Sequence, residues 1–76
     1  MFKFPSRIET EYLRKAYPCG TRIRLIHMND SCHPVEDGMT GTVAYVDDVG
    51  NIHMNWDNGR TLALVPGDDV FEKIKE

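Results

Sequence analysis

The chain is poor in most of the features that announce a chemistry. It has two cysteines, Cys19 and Cys32, and nothing in the sequence places them in an oxidising compartment, so free thiols are expected rather than a disulfide. Cys19, His27, Cys32, His33 and His53 offer metal-ligand atoms, but structural zinc sites take their ligands in close pairs set a turn apart. The sole close pair here, Cys32-His33, is adjacent and hard to aim at one ion, so no metal is expected. No purely apolar run exceeds four residues, far below the roughly 20 that cross a bilayer, which excludes a membrane-spanning helix. The opening Met1-Phe2-Lys3-Phe4-Pro5 lacks the apolar core of a secretory signal, so a cytoplasmic location is expected. No glycine-rich loop opens a helix, which argues against nucleotide hydrolysis.

Positive charge is scarce after residue 28. Residues 1–28 carry six cationic side chains against two carboxylates, a balance of +4, whereas residues 29–76 carry three against ten, a balance of −7. Nucleic-acid binders draw most of their affinity from phosphate neutralisation and usually show a basic domain. With a pI near 5.5, this chain is expected to prefer a protein partner. A nucleic-acid contact would have to use the early cations Arg7, Arg14, Lys15, Arg22 and Arg24.

What is present is the pattern of a small ordered domain. The length of 76 residues leaves room for one core, and the 41% hydrophobic and 28% charged fractions are those of an ordinary globular chain. Ser6-Arg7-Ile8-Glu9 has the form of a capping box, so a helix is predicted over residues 6–17. Ile8, Tyr12, Leu13 and Ala16 recur at helical spacing as its apolar stripe, and Tyr17-Pro18 ends it, because proline disfavours helical geometry in the residue before it. About three turns are not stable alone in water, so the stripe must dock on the rest of the chain or on a partner.

Residues 20–75 read as short strands separated by turns. Residues 22–28 form the first, with Ile23 and Leu25 inward and Arg22 and Arg24 outward. Residues 29–39 read as a long exposed loop free to carry specificity. In residues 41–46, strict alternation cannot bury both Val43 and Val46, which predicts a bulge near Ala44-Tyr45. After the Asp47-Asp48-Val49-Gly50-Asn51 turn, Ile52, Met54 and Trp56 alternate cleanly inward, with His53 and Asn55 outward. Asp57-Asn58-Gly59 signals a tight hairpin, residues 60–65 a fourth strand, Pro66-Gly67-Asp68-Asp69 a turn with 3₁₀ character, and residues 70–74 a last strand. The predicted fold is mainly β, a small five-stranded SH3-like barrel behind one short N-terminal helix. Its expected core is Leu25, Val43, Ile52, Met54, Trp56, Leu62 or Ala63, and Phe71.

These residues carry a resemblance. Tyr17-Pro18-x-Gly20-Thr21-Arg22-Ile23-x-Leu25, Met28-x-Asp30, Gly38-x-x-Gly41-Thr42-Val43, Val46-Asp47-Asp48-x-Gly50-x-Ile52-His53-x-x-Trp56-Asp57-Asn58-Gly59 and Leu62-x-Leu64-x-Pro66-Gly67-x-Asp69 span nearly the whole chain. In them the chain resembles an uncharacterised family of small bacterial, phage and mobile-element proteins, known as a domain of unknown function. The resemblance implies an SH3-like barrel and residence on phages, plasmids or integrated elements, and it implies no catalytic residues. A weaker similarity extends to ribosomal and transcription-factor barrels, which bind RNA or protein. Cys19 and Cys32 are not part of the family pattern.

A catalytic reading has candidates in His53 with Asp48 or Asp57 and in Cys32-His33, but none has an oxyanion-stabilising loop or a pocket implied beside it. The expectation is a chain that is not an enzyme and needs no cofactor and no small-molecule substrate. Its role is expected to be a binding module, an adaptor or inhibitor acting on a protein. The candidate partner-binding residues are Asp30, His33, Asp47, Asp48, His53 and Asn55, at the long loop, the Asp47-Asp48 turn and the outer strand face. Trp56 and Phe71 are read as core, and Tyr45 is the one aromatic whose face alternation leaves open.

Overall fold

The computed structural model describes residues 7–29 and 32–75, the first two of these by their backbone only. The element order is α1 (Arg7–Ala16), β1 (Arg22–His27), β2 (Thr40–Val46), β3 (Ile52–Trp56) and β4 (Val70–Lys73). The strands form one antiparallel sheet in the order β3-β2-β1-β4. The fold is therefore mainly β with one short helix, but it has four strands rather than the expected five. Among the described residues β3 and β4 are the two edges, so the sheet does not close into a barrel.

The missing strand has a local cause. Residues 60–65 start in register as a hairpin with β3: the Trp56 amide donates to the Arg60 carbonyl at 2.9 Å, and Ile52 and Leu64 exchange both backbone bonds at 2.9 and 2.8 Å. Between these rungs the Leu62 carbonyl is turned to the Trp56 indole, which donates its Nε1–H at 2.8 Å. That carbonyl is lost to the ladder, and the segment is reduced to an isolated bridge at Leu64. Gly59 adopts φ +90° at the turn, the left-handed geometry that Asp57-Asn58-Gly59 implies.

The bulge in β2 is present. Pairing with β3 shifts register between Val43 and Tyr45, so Val43 and Val46 both face the core and Tyr45 is thrown outward. Ile23, Leu25, Val43, Ile52, Met54 and Trp56 are buried as expected. Leu62 and Phe71 pack against this core only in part, while Leu64, Val35 and Met28 are buried members that the expected set omitted. Val35 corrects the reading of residues 29–39 as a free loop. It plugs the core, and the segment around it is pinned by Gly38 N–H to Leu25 O at 2.7 Å, Leu25 N–H to Met39 O at 2.8 Å, and the Arg60 guanidinium, which donates to the Pro34 carbonyl at 2.8 Å and to that of His33.

The helix lies against β2 of its own sheet. Of the expected stripe Leu13 packs on the core and Ala16 is half-buried, but Tyr12 is exposed and Thr10 is buried in its place; the Ile8 side chain lies outside the described residues. Thr10, Leu13 and the following Tyr17 share a face at helical spacing, Leu13 and Tyr17 packing on the core. Tyr17 meets Phe71 edge-on at 5.7 Å, and the Lys73 ammonium sits 4.9 Å from the Tyr17 ring centre. Ser6, and with it the capping box, lies outside the described residues. Residues 66–69 form a turn rather than a 3₁₀ helix. Asp69 is the buried anchor there, accepting the Asn29 and Val65 amides at 2.8 Å each. A carboxylate that satisfies two backbone donors holds this turn to the end of β1.

Candidate functional site

Antiparallel register decides which side chains share the outer face of the sheet, because directly opposed residues point the same way. Arg22 lies opposite Thr42, which lies opposite Asn55; Arg24 lies opposite both Thr40 and Glu72; Tyr45 lies opposite His53. Ile23, Leu25, Val43 and Met54 occupy the other face and are buried. The outer face is thus a polar surface crossing all four strands, with one aromatic pair at its β2–β3 corner.

That corner is the best-defined site. The Tyr45 and His53 rings are parallel, 7° apart, with centroids 4.3 Å from each other. His53 Nε2 donates to Asp47 Oδ2 at 2.8 Å, and Asp47 Oδ1 accepts the amides of Val49 and Asn51 at 3.1 and 2.9 Å. One carboxylate therefore organises the turn and fixes the imidazole that stacks on Tyr45. Burial pushes the Asp47 carboxyl up, but the His53 hydrogen bond and the Asn51 and Val49 amides outweigh it and hold the group below its ordinary range. Tyr45 keeps 56% of its surface exposed.

The expected partner-binding residues fall around this corner unevenly. Asp47, His53 and the exposed Asn55 are on or beside it, and Asp48 follows at the turn, where it accepts the Arg14 guanidinium at 2.6 Å. His33 is exposed but belongs to the pinned 32–39 segment, its carbonyl held by Arg60. Asp30 lies outside the described residues. Tyr45 was the residue whose role sequence reasoning left unassigned. The signal was there, since the bulge needed to bury both Val43 and Val46 flips the intervening tyrosine outward.

Among the described residues, the early cations Arg14, Arg22 and Arg24 each lie beside a carboxylate. Arg22 grips Asp57 with two bonds at 2.9 and 2.8 Å and also reaches Thr42; Arg24 pairs with Glu72 at 3.3 Å; Arg14 reaches the Val46 carbonyl at 3.3 Å besides Asp48. These three arginines are spread along β2 from Thr40 to Val46, each beside a carboxylate. Lys15 is exposed on α1, and the Arg7 side chain lies outside the described residues. Cys19 and Cys32 are exposed, and among the described residues no three metal-ligating side chains cluster. No helix among the described residues is long and apolar enough to cross a membrane.

Two depressions lie at and beside this corner. One of about 500 Å³ is lined by His53 and the 59–63 segment, and another of about 400 Å³ by Thr10, Glu11, Arg14 and Asp48. The Thr10 hydroxyl at the floor of the second is buried without a hydrogen-bond partner among the described residues.

The family model described as Domain of unknown function (DUF4314) matches residues 6–74. The chain belongs to this family. The match runs from the helix through β4, so every element described above is part of the DUF4314 unit. No curated protein and no solved structure matches the chain.

Acid should destabilise this DUF4314 chain through two carboxylates. The Asp57 carboxyl is held well below its usual range, first by the Arg22 hydrogen bonds, then by the Thr40 hydroxyl at 2.5 Å, with burial opposing them and the Arg22 charge adding the least. Asp47 is lowered as described. A carboxylate whose folded pKa is depressed contributes stability that is complete above the unfolded value, about 4, and is lost as pH falls toward the folded value. The melting temperature, followed by circular dichroism, should therefore fall steadily from about pH 4 to pH 2. Asp57→Asn should lower it at neutral pH and flatten the acid limb. A melting temperature that holds constant from pH 5 to 2 would contradict the assignment.

Proposed function

We propose that the chain is a non-catalytic binding module that docks a protein through the outer β2–β3 face, with Tyr45, Asp47, Asp48, His53 and Asn55 as the contact set. The observation that carries this reading is Tyr45, a large aromatic held rigidly by a stacked imidazole and left more than half exposed. Tyrosine supplies a broad contact area with little rotamer entropy to lose, and such residues recur as anchors of protein interfaces. Against catalysis stand the employment of His53 as a fixed ring on Asp47 and the open shape of the neighbouring depression. Against a nucleic-acid partner stand the carboxylates beside Arg14, Arg22 and Arg24. The bulges of β1 and β2 and the single rung at Leu64 support an SH3-like, incompletely closed sheet. Residence on a phage, plasmid or other mobile element, and action in the cytoplasm as an adaptor or inhibitor of a host protein, rest on the resemblance drawn from the sequence.

Affinity capture of tagged protein from its host cell, with and without nuclease, tests this reading. A protein should be retained in both arms and lost with Tyr45→Ser, which leaves the buried core intact. Retention that disappears with nuclease, or that depends on Arg22 and Arg24 instead of Tyr45, would replace the protein-binding reading with the nucleic-acid one.

A further inference from the structure

We infer that residues 61–63 are a strap with two positions on the edge of β3, held open by the Trp56 indole, and that closing it adds a row of side chains to the outer face. The link to docking rests on the protein-binding reading above. On both sides of the strap the register is that of a complete hairpin. The Trp56 amide donates to the Arg60 carbonyl at 2.9 Å, and Ile52 and Leu64 exchange both backbone bonds at 2.9 and 2.8 Å. A ladder that joins 56 to 60 and 52 to 64 makes Met54 and Leu62 the hydrogen-bonded pair between them. Alternation points the Met54 N–H and C=O the same way as those of Ile52 and Trp56, toward Leu62 and away from β2. Val43, opposite Met54 on β2, is itself turned to the other side: its amide donates to the Thr21 carbonyl at 2.8 Å and its carbonyl accepts the Gly20 amide at 2.9 Å. Yet the Leu62 carbonyl accepts the Trp56 indole N–H at 2.8 Å, and no backbone bond joins Met54 to Leu62.

Neither position satisfies every polar group. In the open position the indole N–H has its acceptor, while the Met54 N–H and C=O have no partner among the described residues. In the closed position Leu62 exchanges both bonds with Met54, and the indole of Trp56, a residue 3% exposed, loses its acceptor. A buried group left unpaired is costly in either case, so the two costs offset each other and the positions lie close in free energy. The movement between them is confined by fixed ends. Arg60 is held by the Trp56 amide and by its own guanidinium on the Pro34 and His33 carbonyls, and the fully buried Leu64 is held by Ile52. In the closed position Thr61 stands opposite Asn55 and Ala63 opposite His53, so both side chains join the outer face beside the proposed contact set. In the open position the same segment and His53 line the depression of about 500 Å³. A partner that touches the added row binds the closed position better and shifts the strap toward it.

Amide hydrogen exchange and relaxation dispersion on the isotope-labelled full chain test the strap with no partner present. In the wild type the Met54 and Leu62 amides should exchange at least about tenfold faster than those of Ile52 and Leu64. The Met54 and Leu62 amides and the Trp56 indole N–H should also show dispersion with one common rate. Trp56→Phe removes the competing donor and should slow Met54 exchange until it matches Ile52 in the same variant, a comparison within one protein that cancels changes in overall stability. If that variant does not fold, the wild-type dispersion decides. Equal protection of Met54 and Ile52 in the wild type, flat dispersion at the three groups, or fast Met54 exchange in folded Trp56→Phe would each overturn the inference. In the capture experiment, Trp56→Phe with a closed strap should retain more of the protein than wild type does, and no gain would overturn the link to docking. Because the exchange measurements use no partner, their failure leaves the protein-binding reading standing, and a nuclease-sensitive capture leaves the strap standing.

Discussion

Replacing Trp56 with alanine should unfold the protein or lower its melting temperature by at least about 12 °C. Trp56 is 3% exposed at the end of β3, in the middle of the buried cluster. Truncating a buried tryptophan costs about 3–5 kcal/mol in lost transfer energy and cavity, and a domain of this length has roughly 4–11 kcal/mol in total. At about 4–8 °C per kcal/mol for a chain this small, the fall is large on any reckoning. The substitution also strips the Leu62 carbonyl of its indole donor. Trp56→Phe keeps a buried six-membered aromatic ring but loses the five-membered ring with its N–H, so it removes the hydrogen bond with a smaller loss of buried volume than alanine. It should remain folded with a melting temperature between those of wild type and Trp56→Ala. Thermal denaturation followed by circular dichroism reads all three, and an alanine variant that melts within a few degrees of wild type would remove Trp56 from the core.

Gly41→Val should be nearly as damaging, for the opposite reason. Gly41 lies directly opposite Trp56 in the β2–β3 ladder, and a Cβ there would stand 2.7 Å from Trp56 Cε3, 3.0 Å from the Asn55 carbonyl oxygen and 3.1 Å from Trp56 Cα. Two of these three neighbours are backbone of the adjacent strand, which cannot retreat without opening the ladder. Overpacking of this kind costs about 1–3 kcal/mol for a methyl and more for a branched side chain, and the intrinsic preference of valine for strands does not offset it. Gly41→Ala should lie between wild type and valine. In a double-mutant cycle Gly41→Ala and Trp56→Leu should couple by at least about 0.5 kcal/mol, because removing the indole relieves one of the clashes but not the backbone ones. Additive effects would mean that the indole and the glycine do not meet. The contrast with Gly59 is instructive: that glycine is required by its φ of +90° and has open space around it, whereas Gly41 is required by proximity alone.

How much of this was legible in the sequence follows from the range of each interaction. Local rules carried the helix, the two-residue alternation of Ile52, Met54 and Trp56, the Asp57-Asn58-Gly59 turn and the bulge between Val43 and Tyr45, because each depends on residues within a few positions of one another. They also placed His53 and Asn55 outward and Arg22 and Arg24 on the face opposite Ile23 and Leu25. Alternation could not say that residues 60–65 would leave the ladder. That outcome turns on one indole N–H competing for the Leu62 carbonyl, an interaction between a side chain and a backbone group that no hydrophobic pattern encodes. Nor could it say that Thr10, rather than Tyr12, would face the sheet, since the docking angle of α1 is set by β2 and not by the helix itself.

The same division runs through the candidate site. The sequence by itself determined the helix, four of the five expected strands, the Asp57-Asn58-Gly59 turn and the likeness to a domain of unknown function, because these are properties of neighbouring residues and of their order. Only the tertiary structure decided that the segment bearing Val35 is pinned rather than free, that Arg14, Arg22 and Arg24 each meet a carboxylate more than 30 positions away, and that Tyr45 stacks on His53. Strand pairing brings residues distant along the chain within hydrogen-bonding reach, and charge balance is settled by those meetings rather than by the running sum along the chain.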